Sequence, residues 1–444
     1  MGRRASTQLL IFLALAVGGG IAYLAFTRRL AWGVLAVVPV TFLVPLTVGT
    51  GTNIALNATL LFVTFLFAVW LLRMLVLEKD LRLVPSRLNL PVILFILATT
   101  LSLLFGNSPL VLHATERASL PAQLGGWSLY VLSVGMVLLV GNAVRDIRWL
   151  RILTWTFLGF GAGYTAIVLA YGKIKVTEAF FKDGISTSIF WSLLAALSFG
   201  QLLFNRDLTY KSRVVLGLIT LSGLYFGWVG GKEWIAGWLP PLIAIYLLLC
   251  LRSWKVGLLA TVVAGILFYF YYFVFSTQVN TSEQQWSTLT RIVTWPIMFD
   301  LIKTSPIFGL GPANYRYYTH LYNYFGYFLK FNSHNNYLDI AAQTGLLGLG
   351  LFAWLVLELG KLGWRVRKKV EDGFSRAYVN SMLAFLGAML AAGVMADWFL
   401  PFLYNIGIPG FRTSIFAWLF LGGLISLEGI SRNSSIEKQQ ENGA

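Results

Sequence analysis

The sequence predicts an all-α polytopic membrane protein with about 12–14 transmembrane helices and one large external loop carrying short helices. Three observations lead there. The chain of 444 residues is 57% hydrophobic and 12% charged, with a mean hydropathy of +0.72, which excludes an ordinary soluble domain. Apolar runs of about 20 residues, each long enough to cross the hydrocarbon core, recur from end to end. The loops between them alternate between strongly basic and weakly basic. No alternating barrel pattern is present, so the spans are helices that satisfy their own backbone groups. The whole chain, 1–444, reads as a single integral membrane domain.

In order, the spans are expected at 9–26, 31–49, 54–77, 89–105, 128–142, 148–171, 185–204, 214–230, 233–250, 256–275, 335–358, 377–395 and 411–428. The first follows Arg3 and Arg4 but lacks a small-residue cleavage site, so it reads as retained. Loops 78–88, 143–151, 205–213, 251–255 and 359–376 carry Lys79, Arg82, Arg145, Arg148, Arg206, Arg213, Arg252 and the Lys361–Arg376 cluster. Lys/Arg bias makes these loops cytoplasmic, the intervening ones external and the C-terminus cytoplasmic. This odd count conflicts with Arg3 and Arg4, which favour an internal N-terminus, so one early segment is half-spanning or a pair is mis-split. The polar tail Ser431–Ala444 is expected to be disordered. The net charge of +16 invites a nucleic-acid partner, but its placement in short loops between spans sets topology instead. The lipid bilayer is the expected partner, with no nucleic acid. Cys250 is the only cysteine, which excludes an intrachain disulfide or a Cys-based metal site. His113, His320 and His334 are too few for an obvious zinc cluster.

The chemistry concentrates in a polar, aromatic-rich block at 276–334, a loop length that is usually functional. Cations on the external side work against the insertion bias and need a reason. They are Lys173, Lys175, Lys182, Lys232, Arg291, Arg316 and Lys330. Lys232 follows Gly230-Gly231 at membrane depth. It either snorkels or pairs with Glu233, or it joins Arg291 in clamping an anionic headgroup such as a diphosphate. His334 opens a span on the outer face and closes the cationic loop. It is either a helix-start histidine held by Ser333 or Asn335, or a proton acceptor with an ordinary pKa near 6.5 and a pH–rate limb there. Asn332, Asn335, Asn336, Tyr337 and Asn314 are candidate contacts to sugar hydroxyls, with Arg316 and Lys330 as further substrate-binding cations. The loop tyrosines and tryptophans form an interfacial belt or line a groove for sugar or isoprenoid. Pro306–Pro312 reads as a turn with exposed amides. Gly345, Gly348 and Gly350 are expected to let another helix approach closely.

Together these motifs resemble the O-antigen ligase and O-antigen polymerase superfamily. They are the turn before Glu233-Trp234-Ile235-Ala236, Arg291 with Trp295, Phe308-Gly309-Leu310-Gly311-Pro312-Ala313-Asn314, Ser333-His334-Asn335-Asn336-Tyr337-Leu338, and Gly345-Leu346-Leu347-Gly348. The resemblance covers about residues 215–360 in its motifs and the whole chain in its architecture. It implies a bacterial inner-membrane glycosyltransferase with its active site facing the periplasm. The donor would be a glycan on undecaprenyl diphosphate and the acceptor a glycan or lipid-linked hydroxyl. His334 would match the family's loop histidine and Arg291 its loop arginine, while Lys232 stands where the family carries an upstream arginine. Neither a metal nor another cofactor is implied. Ligase, polymerase and protein O-oligosaccharyltransferase share this donor site, so the motifs do not separate them. A small-solute or bicarbonate-type transporter is a reading from another class, but it would place charges mid-span and break helices in paired repeats. A glycan-binding protein without catalysis is a further one.

Overall fold

The computed structural model describes residues 30–49, 55–108, 116–171, 187–231, 235–270, 282–371 and 373–442. The expected span 9–26, the loop cations Lys173, Lys175 and Lys182, and Lys232 lie outside the described residues.

The described chain is a helical bundle. Its helices are α1 Leu30–Leu43, α2 Ala58–Leu72, α3 Asn89–Gly106, α4 Leu120–Ala143, α5 Ile147–Tyr171, α6 Ser188–Phe204, α7 Tyr210–Gly231, α8 Ile235–Arg252, α9 Trp254–Phe270, α10 Ser282–Thr304, α11 Arg316–Thr319, α12 Asn336–Lys369, α13 Phe374–Gly393 and α14 Gly407–Asn442. Eight of these are long and apolar enough to cross a membrane, α2 with its π-helical extension Arg73–Glu78 included. Leu30–Leu43, Ser188–Phe204 and part of α9 are shorter apolar helices. The protein is a multi-pass, all-α membrane protein. Much of the polar block is itself helical, in α10 and the single turn α11.

Two departures from the sequence reading have local causes. The runs expected at 31–49 and 54–77 are shorter helices joined through an antiparallel hairpin, Thr47–Gly49 with Ala55–Asn57. Asn57 then caps α2, its Oδ1 accepting from Leu60 N at 2.8 Å. The tail expected to be disordered continues α14 through Asn442. Its sequence has no glycine or proline before that point to stop it, and Arg432 anchors it on the Pro85 carbonyl at 3.3 Å.

At the centre, α14 packs on α4. From Phe411 to Leu427 nearly every side chain of α14 is buried, Trp418 and Phe420 among them. Around this core the loops gather at two ends. At one end lie the basic loops. Val84 N donates to Asn142 Oδ1 at 2.8 Å, and Arg151 sits 5.6 Å from the Phe374 ring. Arg367 reaches the Leu251 carbonyl at 2.8 Å. At the other end the hairpin meets α14 through Asn57 Nδ2 and the Ile408 carbonyl at 2.6 Å. There the segment 305–335 packs against the 116–119 segment and the 394–406 turn.

Candidate active site

The site is built on a broken helix. Gly345 has φ +71° and ψ −177°, which interrupts α12 after its first two turns. The loop Pro306–Gly311 enters that break. Leu346 N donates to the Pro306 carbonyl at 2.7 Å, and Leu347 N to that of Ile307 at 3.3 Å. In return Leu310 N donates to the Ala342 carbonyl at 2.9 Å, and Gly311 N to that of Gln343 at 3.0 Å. The carbonyls that the break leaves without helical donors are satisfied by the loop, as buried backbone requires. A Cβ on Gly345 would stand 2.0 Å from the Ile307 oxygen, and one on Gly309, itself at φ +71°, 2.4 Å from the Gln343 carbonyl carbon. The loop amides are therefore engaged, not exposed as the sequence suggested. The chain that Gly345 admits is this loop rather than another helix. A Cβ on Gly348 would meet only its own helix's Thr344, and one on Gly350 open space.

The short rod Asn336–Thr344 presents the histidine motif. Asn335 caps it, with Oδ1 accepting from Tyr337 N at 2.9 Å and Leu338 N at 3.2 Å. His334 is left in a left-handed conformation, φ +50°. A non-glycine residue held there is uncommon and points to a constrained site. The cap turns its ring towards the 394–406 turn, where Nδ1 lies 3.3 Å from Asn405 Nδ2. The same amide nitrogen donates to Asp397 Oδ1, and Phe402 N donates to Asp397 Oδ2 at 3.2 Å.

Asp397 is fully buried, which raises its carboxyl to about 6 against the opposing pull of Asn405, the backbone donors and Arg291. An ionised Asp397 obliges Asn405 to face it with nitrogen. Nδ1 of His334 then accepts, so the neutral ring carries its hydrogen on Nε2. Burial, and then the nearby Arg291 charge, lower the His334 pKa from 6.5 to about 4. The ring is neutral through the physiological range, and its own limb moves away from pH 6.5.

Arg291, on α10, reaches the same turn through Nη2 and the Met395 carbonyl at 2.9 Å. Burial lowers its pKa while Asp397 opposes the shift. Arg316 donates to the Tyr404 carbonyl at 2.9 Å and stacks 5.2 Å from the Tyr404 ring. Asn332 donates to that carbonyl at 3.2 Å, and among the described residues its own buried Oδ1 has no partner. These four residues converge on one turn. Lys330 lies further out, paired with Glu116 and 4.3 Å from the Tyr317 ring.

The remaining candidates are engaged in the scaffold. Asn336 donates to the Leu400 carbonyl at 2.6 Å and accepts from Phe399 N at 3.0 Å. Tyr337 donates to the Leu390 carbonyl at 2.7 Å. Asn314 joins the Leu310 carbonyl at 3.0 Å and Ala118 N at 3.1 Å. Among the described residues no group of three or more His, Cys, Asp or Glu could hold a metal ion.

Residues 202–353, which contain Arg291, His334 and the glycine turn, match the family model described as O-antigen ligase. Over that segment the chain is similar to the O-antigen ligase and polymerase superfamily. No curated protein matches it. The O-antigen ligase segment ends on α12, so Asp397, Tyr404 and Asn405 are contributed from beyond it. Sequence reasoning missed all three. The one available signal was Asp397 itself, a carboxylate between the apolar runs of α13 and α14.

Proposed function

We propose that the protein is an O-antigen ligase-type glycosyltransferase. It moves a glycan from undecaprenyl diphosphate to an acceptor hydroxyl on the periplasmic face of a bacterial inner membrane, with the C-terminus cytoplasmic. The observation that supports this most is the convergence of Arg291 and His334, both in the family-matching segment, on the Asp397–Asn405 pair beyond it. The acceptor oxygen attacks the anomeric carbon as the bond from that carbon to the diphosphate oxygen breaks. A single displacement inverts the centre. Arg291 and Lys232 balance the charge that develops on the departing diphosphate, Arg through a planar fork and Lys through a point charge.

The hydrogen bonding around His334 supports a narrower part for it. With hydrogen on Nε2 the ring is a donor, suited to orienting the acceptor oxygen or a diphosphate oxygen. The acceptor's proton then leaves with the diphosphate. To take that proton itself, the ring must carry hydrogen on Nδ1. Asn405 must then present its carbonyl, and Asp397 must hold a proton. Both forms act without a metal. Arg316 and Asn332, gathered on the Tyr404 carbonyl, are the proposed contacts to sugar oxygens.

The test is release of undecaprenyl diphosphate by the purified protein in detergent, from a lipid-diphosphate glycan. Lipid A core, a second lipid-linked glycan and a Ser/Thr peptide are offered as separate acceptors. Release that requires lipid A core is expected. A requirement for the second glycan would make the protein a polymerase, and one for the peptide a protein O-oligosaccharyltransferase. No release with any acceptor, together with bicarbonate uptake in vesicles, would overturn the glycosyltransferase reading. In the same assay Lys232→Ala is expected to slow transfer severely and Lys232→Arg to retain it.

A further inference from the structure

At the basic end, far from the histidine site, α1, the π-helical turn Arg73–Glu78, the end of α4 and the start of α5 enclose a cavity of about 730 Å³. Four arginines line it, Arg73, Arg82, Arg145 and Arg148, against two acids, Glu78 and Asp146. Both acids are already engaged. Glu78 holds Arg73 through Nε and Nη2, each at 2.8 Å. Asp146 caps α5, accepting from Arg148 N at 2.8 Å. Among the described residues Arg145 spends only Nε, on the Asn142 carbonyl at 3.2 Å. Among the described residues the Arg148 guanidinium has no partner. Arg82 is nearly free as well, 90% exposed and 3.5 Å from Asp80. The positive end of the α5 macrodipole lies on the same wall.

This surplus of positive charge meets apolar surface. Trp32 and Trp149 stack edge to face at 4.9 Å in the cavity wall, the residue type that seats at the headgroup level. Beside Arg73, Leu71, Leu72, Leu75 and Val76 are exposed. A soluble anion would use the guanidinium groups alone, whereas a phospholipid would also cover this apolar strip with its acyl chains.

We propose that this cavity binds the phosphodiester headgroup of an anionic phospholipid, with Arg145 and Arg148 as its principal contacts and Arg82 closing over it. The site is independent of the glycosyltransferase reading. A π-helical irregularity at the end of α2, frequent at functional positions, sets Arg73 and Glu78 together in the cavity wall.

The experiment compares thermal stabilisation and lipid retention of the full-length protein in detergent. The ligands added are phosphatidylglycerol, phosphatidylcholine, glycerol phosphate and inorganic phosphate. Phosphatidylglycerol should stabilise the wild type selectively. Losing two basic contacts at a charged membrane surface should weaken its binding roughly thirtyfold in Arg145→Gln/Arg148→Gln. Arg145→Lys/Arg148→Lys should recover most of it, and glycan transfer should be unchanged in both. Equal retention by the Gln variant, or equal stabilisation by phosphatidylcholine, overturns the proposal. Stabilisation by inorganic or glycerol phosphate to the same extent as by lipid also overturns it, in favour of a soluble-anion site. Should the Gln pair fail to accumulate, Arg82→Gln with Arg148→Gln reads the same loss.

Discussion

Both ends of the bundle are rich in arginine, yet the arginines do different work. At the basic end several of them finish helices. Arg213 donates to the Leu202 and Asn205 carbonyls at 3.2 and 3.1 Å. Arg367 reaches the last turn of α8 at Leu251, and Arg376 the Val370 carbonyl at 2.8 Å. Each covers carbonyls that a helix C-terminus leaves unsatisfied. At the other end Arg291 and Arg316 also bind turn carbonyls, but they stand beside a buried carboxylate and a neutral histidine. A backbone contact is common to both ends, so it says nothing about chemistry. The neighbouring titratable groups carry that information.

The largest effect separating the ends is expected from Arg291→Ala. Transfer should fall by about 10³–10⁵-fold, the range for an arginine stabilising phosphoryl oxygens, with membrane insertion unchanged. Transfer near the wild-type rate would make Arg291 a capping arginine like those opposite. His334→Ala should lose about 10²–10⁴-fold in rate while donor binding, measured in parallel, survives. Joint loss of binding and rate would mark a structural residue at the loop–helix junction.

Asp397→Asn sharpens the comparison through pH. With its carboxyl at about 6, wild-type Asp397 is ionised above pH 6 and protonated below. If His334 works as an Nε2–H donor, the rate holds above pH 6 and falls as the pH drops through it. If it works as a base, the slope has the opposite sign. In either case Asp397→Asn should remove the limb, and a limb that persists would assign it elsewhere. The smallest effect belongs to Arg213→Ala. It should lower stability by about 1–3 kcal/mol, the worth of charge-assisted hydrogen bonds, and leave transfer within about twofold. A collapse of activity there would erase the distinction between the ends.

Much of this was legible in the sequence, because hydropathy and charge are one-dimensional signals. The apolar runs gave the helices, and the Lys/Arg pattern sorted the loops into two groups whose described members the structure gathers at opposite ends. What stayed hidden depended on contacts between distant positions. Asp397 and Asn405 lie more than 60 residues from His334, in a turn with no motif of its own. Asn314, Asn336 and Tyr337 look like sugar-binding groups in a list of polar residues. Their partners, Ala118, Leu400 and Leu390, are visible only in three dimensions. The glycine at 345 was read as a packing residue, since nothing local announces that a loop from 40 residues upstream will fill the gap.

The hydrogen bonds between 306–311 and 342–347 also fasten both feet of the segment between them. Residues 312–341 thus leave and return through one clasp, and their contacts with Ala118 and the 394–406 turn hold the base of the sling. Its far point is the Tyr324–Tyr327 turn, where Phe325 and Gly326 are exposed at φ +51° and +86° and Gly326 N rests on Asn323 Oδ1 at 2.8 Å. Chain length added at that apex changes neither foot, and loop-closure entropy grows only slowly with length. The apex is accordingly the place to splice in an epitope or a fluorophore, leaving the histidine, its arginine and the clasp in register.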